Sequence, residues 1–534
     1  MVRYRILTNA RFVIDGDRPD AGAVAVVDER IAALGELDEV RRAVGSAAET
    51  IDLGGATVFP GFFDNHVHVL NFGRSRMGVP CWPADVDSVG DIVDRVRAAH
   101  RSAPKGKWLR GRGYDPSRLA EKRAPTADEL DLDGDRCVVL DSFDFHRRVA
   151  NNAALRAGDV GPATADPSDG EIVRDEHGRP TGELVDGARA LLDQVMPPWT
   201  EEEDETAVQI ASDHFLSLGF TSVTNAAPLT MSHRGEEISA FLRLAERDAL
   251  SLRFVSMMRA ELLNDVGNLG LRPGVGRGRF RLGGAKLFAD GALGTRTAHL
   301  SEDYSDTGGR GMLRMSHSEL EEIIRRGSEN NWQMCVHTQG DQAIDTVARL
   351  MARHPARGWR HRIEHCCLTT SSTIRLMAEA GIIPVPQLGF LRYRATDFVD
   401  ALGEERVSRL YPLRSWIDAG LQPIHSSDSP VISDARPMVA IATAIGRTDD
   451  AGNTFGAEES ITFGEAVAMM TNWAASAYGL EHSRGRIDVG YLADFTIFAE
   501  DPRSLPPADL VEIAPTQTIV GGSTAWQAAA DGGL

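Results

Sequence analysis

The sequence predicts an α/β protein built on a (β/α)8 barrel, with a small β-domain assembled from both chain ends and a folded insertion. Three observations predict it. Eight apolar strand candidates recur between residues 57 and 428, helical segments fall between them, and the two termini share a β-rich texture.

Residues 1 to about 57 read as short strands and turns: RYRILTNARFVI, AVAVVDERIAALG and TVF, with Gly and Asp between them. The far end returns to the same texture in GYLADFTIFAE and QTIVGG. Residues 1–57 and 480–534 are therefore expected to form one β-domain, with 58–479 as the barrel. The barrel strand candidates are TVFPGFFDNHVH (57–68), FTSVTNA (220–226), LRFVSMM (252–258), FRLGGAKLFAD (280–290), WQMCVHTQ (332–339), RHRIEHC (360–366), IIPVPQ (382–387) and LQPIHSSD (421–428). Between them SELEEIIRRGSEN, DQAIDTVARLMARH and SSTIRLMAEAG place apolar residues at helical spacing. Eight such repeats specify a barrel whose site lies at the C-terminal ends of its strands. Residues 69–215 are too many for one loop, and they hold helix-like DIVDRVRAAHRSA and strand-like RCVVLDSF. They are expected to be an α+β insertion after the first barrel strand. The glycine-rich RPGVGRGRFRLGG leads into a strand and not a helix, which counts against a phosphate loop.

Composition narrows the class. In 534 residues, 42% are hydrophobic and 25% charged, as in ordinary globular chains. With 57 basic against 77 acidic residues the net charge is −20, a field that repels phosphate backbones and anionic membranes. The expected partner is a small-molecule substrate, with no nucleic acid and no membrane; a homo-oligomer is compatible with the sequence. Five cysteines without CxxC spacing fit a reduced compartment. No apolar leader and no run approaching ~20 apolar residues is present, so the expected location is cytoplasmic.

Metal-ligating residue types recur at the strand ends. His66 and His68 lie two apart in DNHVH, so on a strand they share a face. His337 closes WQMCVH, His365 closes RHRIEH, Asp428 closes IHSSD, and Lys286 lies in the fourth strand. A barrel brings these six together at one mouth. Four imidazoles and a carboxylate suit one or two divalent ions, zinc first, with manganese or iron as alternatives. A protonated Lys286 would be repelled there. Either it turns away to pair with an acid such as Asp290, or it loses its proton and reacts with carbon dioxide to give an anionic carbamate. Spacing leaves both open.

The set PGFFDNHVH, AKLFADGALG, VHTQGDQAID, RIEHC, SSDSP and GYLADFTIF resembles the amidohydrolase superfamily of metal-dependent hydrolases. Within it the chain is most similar to the branch that includes N-substituted formamide deformylases. The likeness extends through GRGYD, PTADELD, FHRRVANNAAL and RPTGELVDGA in the insertion. It implies a distorted TIM barrel with a small β-sandwich from the two termini. It also implies that His66, His68 and Asp428 hold the more buried metal, that His337 and His365 hold the second, and that a carboxylated Lys286 bridges them.

The expected reaction is cleavage of a non-peptide C–N amide bond by metal-activated hydroxide, with Asp428 as the catalytic proton acceptor and donor. The substrate would be an N-substituted amide, an N-acyl amino acid or a cyclic amide. The alternatives are a deaminase, decarboxylase or esterase on the same scaffold, or a non-catalytic homologue. His146, Arg296 and Arg392 are candidate substrate-binding residues, and His425 is read as a supporting or core residue. Asp64 shares the parity of His66 and is a candidate support for it. Asp290 and Arg296 either line the mouth or pair with each other. Arg74, Arg76, Arg112, Arg147, Arg392 and Arg394 hint at a substrate carboxylate, while Phe72, Trp82, Tyr114, Phe390 and Tyr393 equally permit a flat apolar amide.

Overall fold

The computed structural model describes residues 4–529 except 15–18, 46–47, 84, 105, 133, 144–145, 168–169 and 227–235. By internal contacts the chain divides into two compact units, Met1–His68 with Ser212–Leu534, and Val69–Ala211.

In the first unit the barrel strands are β1 (Phe62–Val67), β2 (Phe220–Asn225), β3 (Arg253–Arg259), β4 (Phe280–Phe288), β5 (Met334–Thr338), β6 (Arg362–His365) and β7 (Ile383–Val385). They pair in that order, each parallel to its neighbour. Nearly all their residues are buried, as expected of parallel strands covered on both faces. Helices α1 (His317–Glu329), α2 (Asp341–Arg353) and α3 (Ser371–Ala380) follow β4, β5 and β6. Ser316 caps α1 and Thr370 caps α3, each accepting a backbone N–H in the first turn. The apolar stripe Ala343, Ile344, Val347, Ala348 and Met351 buries α2.

The expected eighth strand is an extended segment and not a regular strand. Ile424 and Ser426 donate N–H to Pro384 and Pro386 carbonyls at 3.1 and 3.2 Å, while the His425 and His66 carbonyls accept from Asn65 and Asp428 at 3.2 and 2.9 Å. The barrel thus closes on both sides of residues 421–428. Pro384, Pro386 and Pro423 lack N–H groups, so the ladder with β7 runs one way only and stays irregular.

Both chain ends meet in a single seven-stranded sheet, ordered Ser523–Gln527, Gln517–Val520, Phe495–Phe498, Glu49–Pro60, Tyr4–Phe12, Ala21–Val27 and Arg30–Gly35. Leu7, Phe12, Val24, Val58, Phe495 and Ile519, from strands spread across that path, share one core. A buried ion pair joins this sheet to β3: Arg253 Nε and Nη2 lie 2.8 and 3.0 Å from the Asp494 carboxylate. Breaking such a pair strands a charge in low dielectric. Arg253→Met is expected to lower the unfolding free energy by about 3–5 kcal/mol, read from guanidinium denaturation. An unchanged midpoint would show that the pair does not hold the sheet to the barrel.

The second unit carries its own six-stranded sheet, with Val138–Ser142 between Leu109–Tyr114 and Arg147–Ala150. Helix Val89–Ser102 buries Ile92, Val93 and Val96 in its core. Among the described residues no helix is long and apolar enough to cross a membrane.

Candidate metal centre

β1 delivers His66, and His68 follows just past its end. Their rings lie 5.5 Å apart, and Nε2 of each approaches Asp428 Oδ1, at 3.5 Å from His66 and 3.4 Å from His68. The backbone fixes this approach. Asp428 donates N–H to the His66 carbonyl at 2.9 Å, and His68 donates to the Ser429 carbonyl at 2.8 Å. One ligand atom from each of His66, His68 and Asp428 lies within 4.8 Å of the other two. All three residues are buried, and Asp428 Oδ1 has no hydrogen-bond partner among the described residues.

Lys286 projects from β4 into the same place, with Nζ 3.1 Å from His66 Nε2. It does not turn toward Asp290. That carboxylate is engaged by the backbone N–H groups of Gln339, Gly340 and His299 at 2.9–3.1 Å, tying the loop after β5 to the loop after β4. Burial pushes the Lys286 ammonium down to about 8, against the favourable charges of Glu364 and Asp428. Burial likewise pushes the Asp290 and Asp64 carboxyls up to about 7, against the hydrogen bonds that each accepts.

His337 and His365 stand beside this group with ring centroids 4.3 Å apart, and His365 is 5.4 Å from His66. His337 Nε2 donates to the Gly291 carbonyl at 3.0 Å, which leaves Nδ1 as that ring's acceptor. Burial holds His66 and His365 well below the usual imidazole range and His337 at about 3. The rings are therefore neutral, the form that ligates metal.

Two partners of His66 and its strand carry no strand-end signature. His66 Nδ1 donates to Glu364 Oε2 at 2.6 Å, and Arg362 grips both Glu364 oxygens at 2.8 and 3.0 Å. Arg362 also donates to the Asn65 carbonyl at 2.9 Å and bonds Tyr478. A carboxylate behind a histidine fixes its tautomer and turns Nε2 toward the ligand position. The signal lay in RIEH. Arg362 and Glu364 share strand parity, so both face inward, and a fully buried Arg–Glu pair is rarely incidental. His365 has the opposite parity. It joins the site because its φ is +69°, in the left-handed region, as are Cys366 (+49°) and Asp428 (+60°). Such conformations cost energy and gather at functional sites. Asp64 supports the cluster by accepting N–H from His66 at 3.2 Å and Ser427 at 3.0 Å.

The candidate substrate residues are placed differently. Arg296 pairs with Asp306 at 2.9 Å, not with Asp290, and reaches the Gly294 carbonyl at 3.0 Å, so it staples its own loop. Arg392 donates to the Asp449 carbonyl at 2.6 Å. His146, in the second unit, bonds Asp186 at 2.6 Å. Arg74 and Arg147, also there, pair with Asp204 and Glu183. His425 is buried beside Gly389, Ser427 and Thr443 around a small cavity, with neither ring nitrogen hydrogen-bonded among the described residues.

The donor set fits a divalent cation. Two neutral imidazole nitrogens and an unpartnered buried carboxylate oxygen converge, and a buried carboxylate behind His66 completes the arrangement.

Comparison with known proteins agrees with this chemistry. The amidohydrolase family model matches residues 49–525. The chain is 30% identical over 526 residues to the putative amidohydrolase YtcJ of Bacillus subtilis (strain 168), covering 96% of this chain and 97% of that protein. It is 28% identical over 538 residues to the N-substituted formamide deformylase of Arthrobacter pascens, covering 98% of each. An uncharacterized metal-dependent hydrolase from Pyrococcus furiosus superposes with a TM-score of 0.78 at 27% identity, covering 94% of this chain and all of that one. With a barrel of this pattern, a buried histidine–aspartate cluster at its mouth and a match over nearly its whole length, the chain belongs to the amidohydrolase family of metal-dependent hydrolases.

Proposed function

We propose that the protein hydrolyses a non-peptide C–N amide bond, in an N-substituted amide, an N-acyl amino acid or a cyclic amide. The convergence of His66, His68 and Asp428, with Asp428 Oδ1 left without a hydrogen bond, carries this reading. Kinship with a protein named N-substituted formamide deformylase supports the bond type.

In this reading His66, His68 and Asp428 would hold one divalent ion, zinc first, and His337 and His365 would hold a second. Bound there, such ions supply a water of lowered pKa and polarise the scissile carbonyl. Asp428 Oδ1 accepts the proton released as water adds to the carbonyl carbon. Asp428 then hands that proton to the amide nitrogen as the C–N bond breaks, so the amine leaves neutral. Glu364 keeps His66 in the Nδ1–H tautomer throughout, and Arg362 holds the Glu364 carboxylate in place. Lys286, whose amine burial biases toward the neutral form, could add through Nζ to carbon dioxide, forming an N–C bond and releasing a proton, and the resulting anionic carbamate would supply oxygen donors to the ions held there.

Two results follow. Purified protein is expected to hold one to two equivalents of divalent metal, and dialysis against a chelator should abolish release of amine from an N-substituted formamide. Full activity in metal-free protein, or release of ammonia or carbon dioxide in place of amine and acid, would reject the proposal. Lys286→Ala should lose metal and regain part of its activity with added short carboxylic acids. Unchanged metal content in that variant removes the bridging role.

A further inference from the structure

His425 is a buried titratable group that the chemistry above does not use. It is 2% exposed, and burial pushes its ring down to about 3, so the imidazole is neutral. A neutral imidazole has one N–H donor and one acceptor nitrogen, and buried polar atoms of this kind are normally paired. Among the described residues neither ring nitrogen has a partner. The ring lines a small cavity together with Ser427 and Thr443, and half-buried Asp434 and exposed Arg436 border it toward solvent.

Helix α4 (Pro437–Gly446) forms one wall of the cavity, where Val439, Ala440 and Thr443 share a face at helical spacing. The extended segment 421–428 supplies His425 and Ser427 from the other side. Polar groups on both walls have capacity left. Thr443 Oγ1 donates to the Val439 carbonyl at 2.8 Å, which leaves its lone pairs able to accept. Ser427 Oγ accepts from the Ser429 N–H at 3.1 Å and keeps a second lone pair. Asp434 does not serve His425, because Arg436 bonds its two oxygens at 3.0 and 2.8 Å and Tyr393 donates to it at 2.5 Å. The space suits a water-sized guest and is too small for a substrate.

We propose that this cavity is a hydration site, in which at least one ordered water accepts from the His425 ring N–H and donates to Ser427 Oγ and Thr443 Oγ1. The bridge ties segment 421–428 to α4 and so positions Asp428, the residue after Ser427. Such a tie answers a local need, because the prolines of this region leave the segment with an irregular, one-way ladder to β7. His425 is therefore a positioning residue. The water site stands on this geometry alone, and its effect on turnover rests on the role proposed for Asp428.

High-resolution diffraction from the parent protein is expected to show a water about 2.7–3.2 Å from a His425 ring nitrogen and from Ser427 Oγ or Thr443 Oγ1. No water at either ring nitrogen overturns the site. His425→Phe and Thr443→Val each remove one bond to the water, and the second is close enough in shape to fold where the first does not. Hydrogen exchange, read by mass spectrometry on a peptide covering 421–429 of metal-free full-length protein, should quicken about tenfold in both variants. His425→Gln keeps a donor and an acceptor and should restore part of the protection. In metal-loaded protein both variants should lose about 10- to 100-fold in kcat with KM changed less than about twofold. Parental exchange in both variants overturns the positioning role, whatever happens to turnover. Quickened exchange with partial rescue by His425→Gln upholds it even where no amide is hydrolysed, and it is then the amide reading that has failed.

Discussion

Asp428→Asn is expected to reduce kcat roughly a thousandfold, within the range that positioned acid–base groups contribute. The side chain keeps its shape and loses its charge. Asp428 Oδ1 sits 3.5 and 3.4 Å from the Nε2 atoms of His66 and His68, buried and, among the described residues, without a hydrogen bond. Turnover at saturating substrate and metal content are read together. Turnover lost with metal retained assigns Asp428 to proton handling, and loss of both assigns it to ligation as well. Retention of both would contradict its place at the centre of the site.

Glu364→Gln tests the support behind the ligands. The amide still accepts from His66 Nδ1, but it leaves the fully buried Arg362 guanidinium without its anion. Removing one partner of a buried pair costs about 3–5 kcal/mol, and loss of a supporting carboxylate typically weakens metal binding about 10- to 100-fold. Both effects are expected together, the first in denaturant unfolding and the second in competition against a chelator of known affinity. A variant with parental stability and parental metal affinity would show that the Arg362–Glu364–His66 chain does not hold the site.

How far the site could be read from the sequence follows from what strand position encodes. His66, His68, Lys286, His337, His365 and Asp428 were legible because each lies near the end of an apolar run, and a barrel gathers those ends at one mouth. Arg362 and Glu364 were less legible because a charged pair inside a short strand looks the same whether it faces a site or solvent. Their burial depends on β1 lying across the barrel, which no local pattern states. His365 was legible by residue type but not by parity, because its left-handed backbone overrides the alternation of β6. The eighth strand was placed in the right residues, and only its regularity failed, for want of N–H donors at Pro384, Pro386 and Pro423. Arginine density pointed to loops whose guanidiniums are held by neighbours such as Asp306 and the Asp449 carbonyl.

The most direct test is X-ray diffraction from crystals of the purified protein, with data collected above and below the absorption edge of the metal found by elemental analysis. The account predicts an anomalous peak about 2.0–2.2 Å from Nε2 of both His66 and His68 and from an oxygen of Asp428. Native-level hydrolytic activity in crystals that show no anomalous density between these three side chains would contradict it.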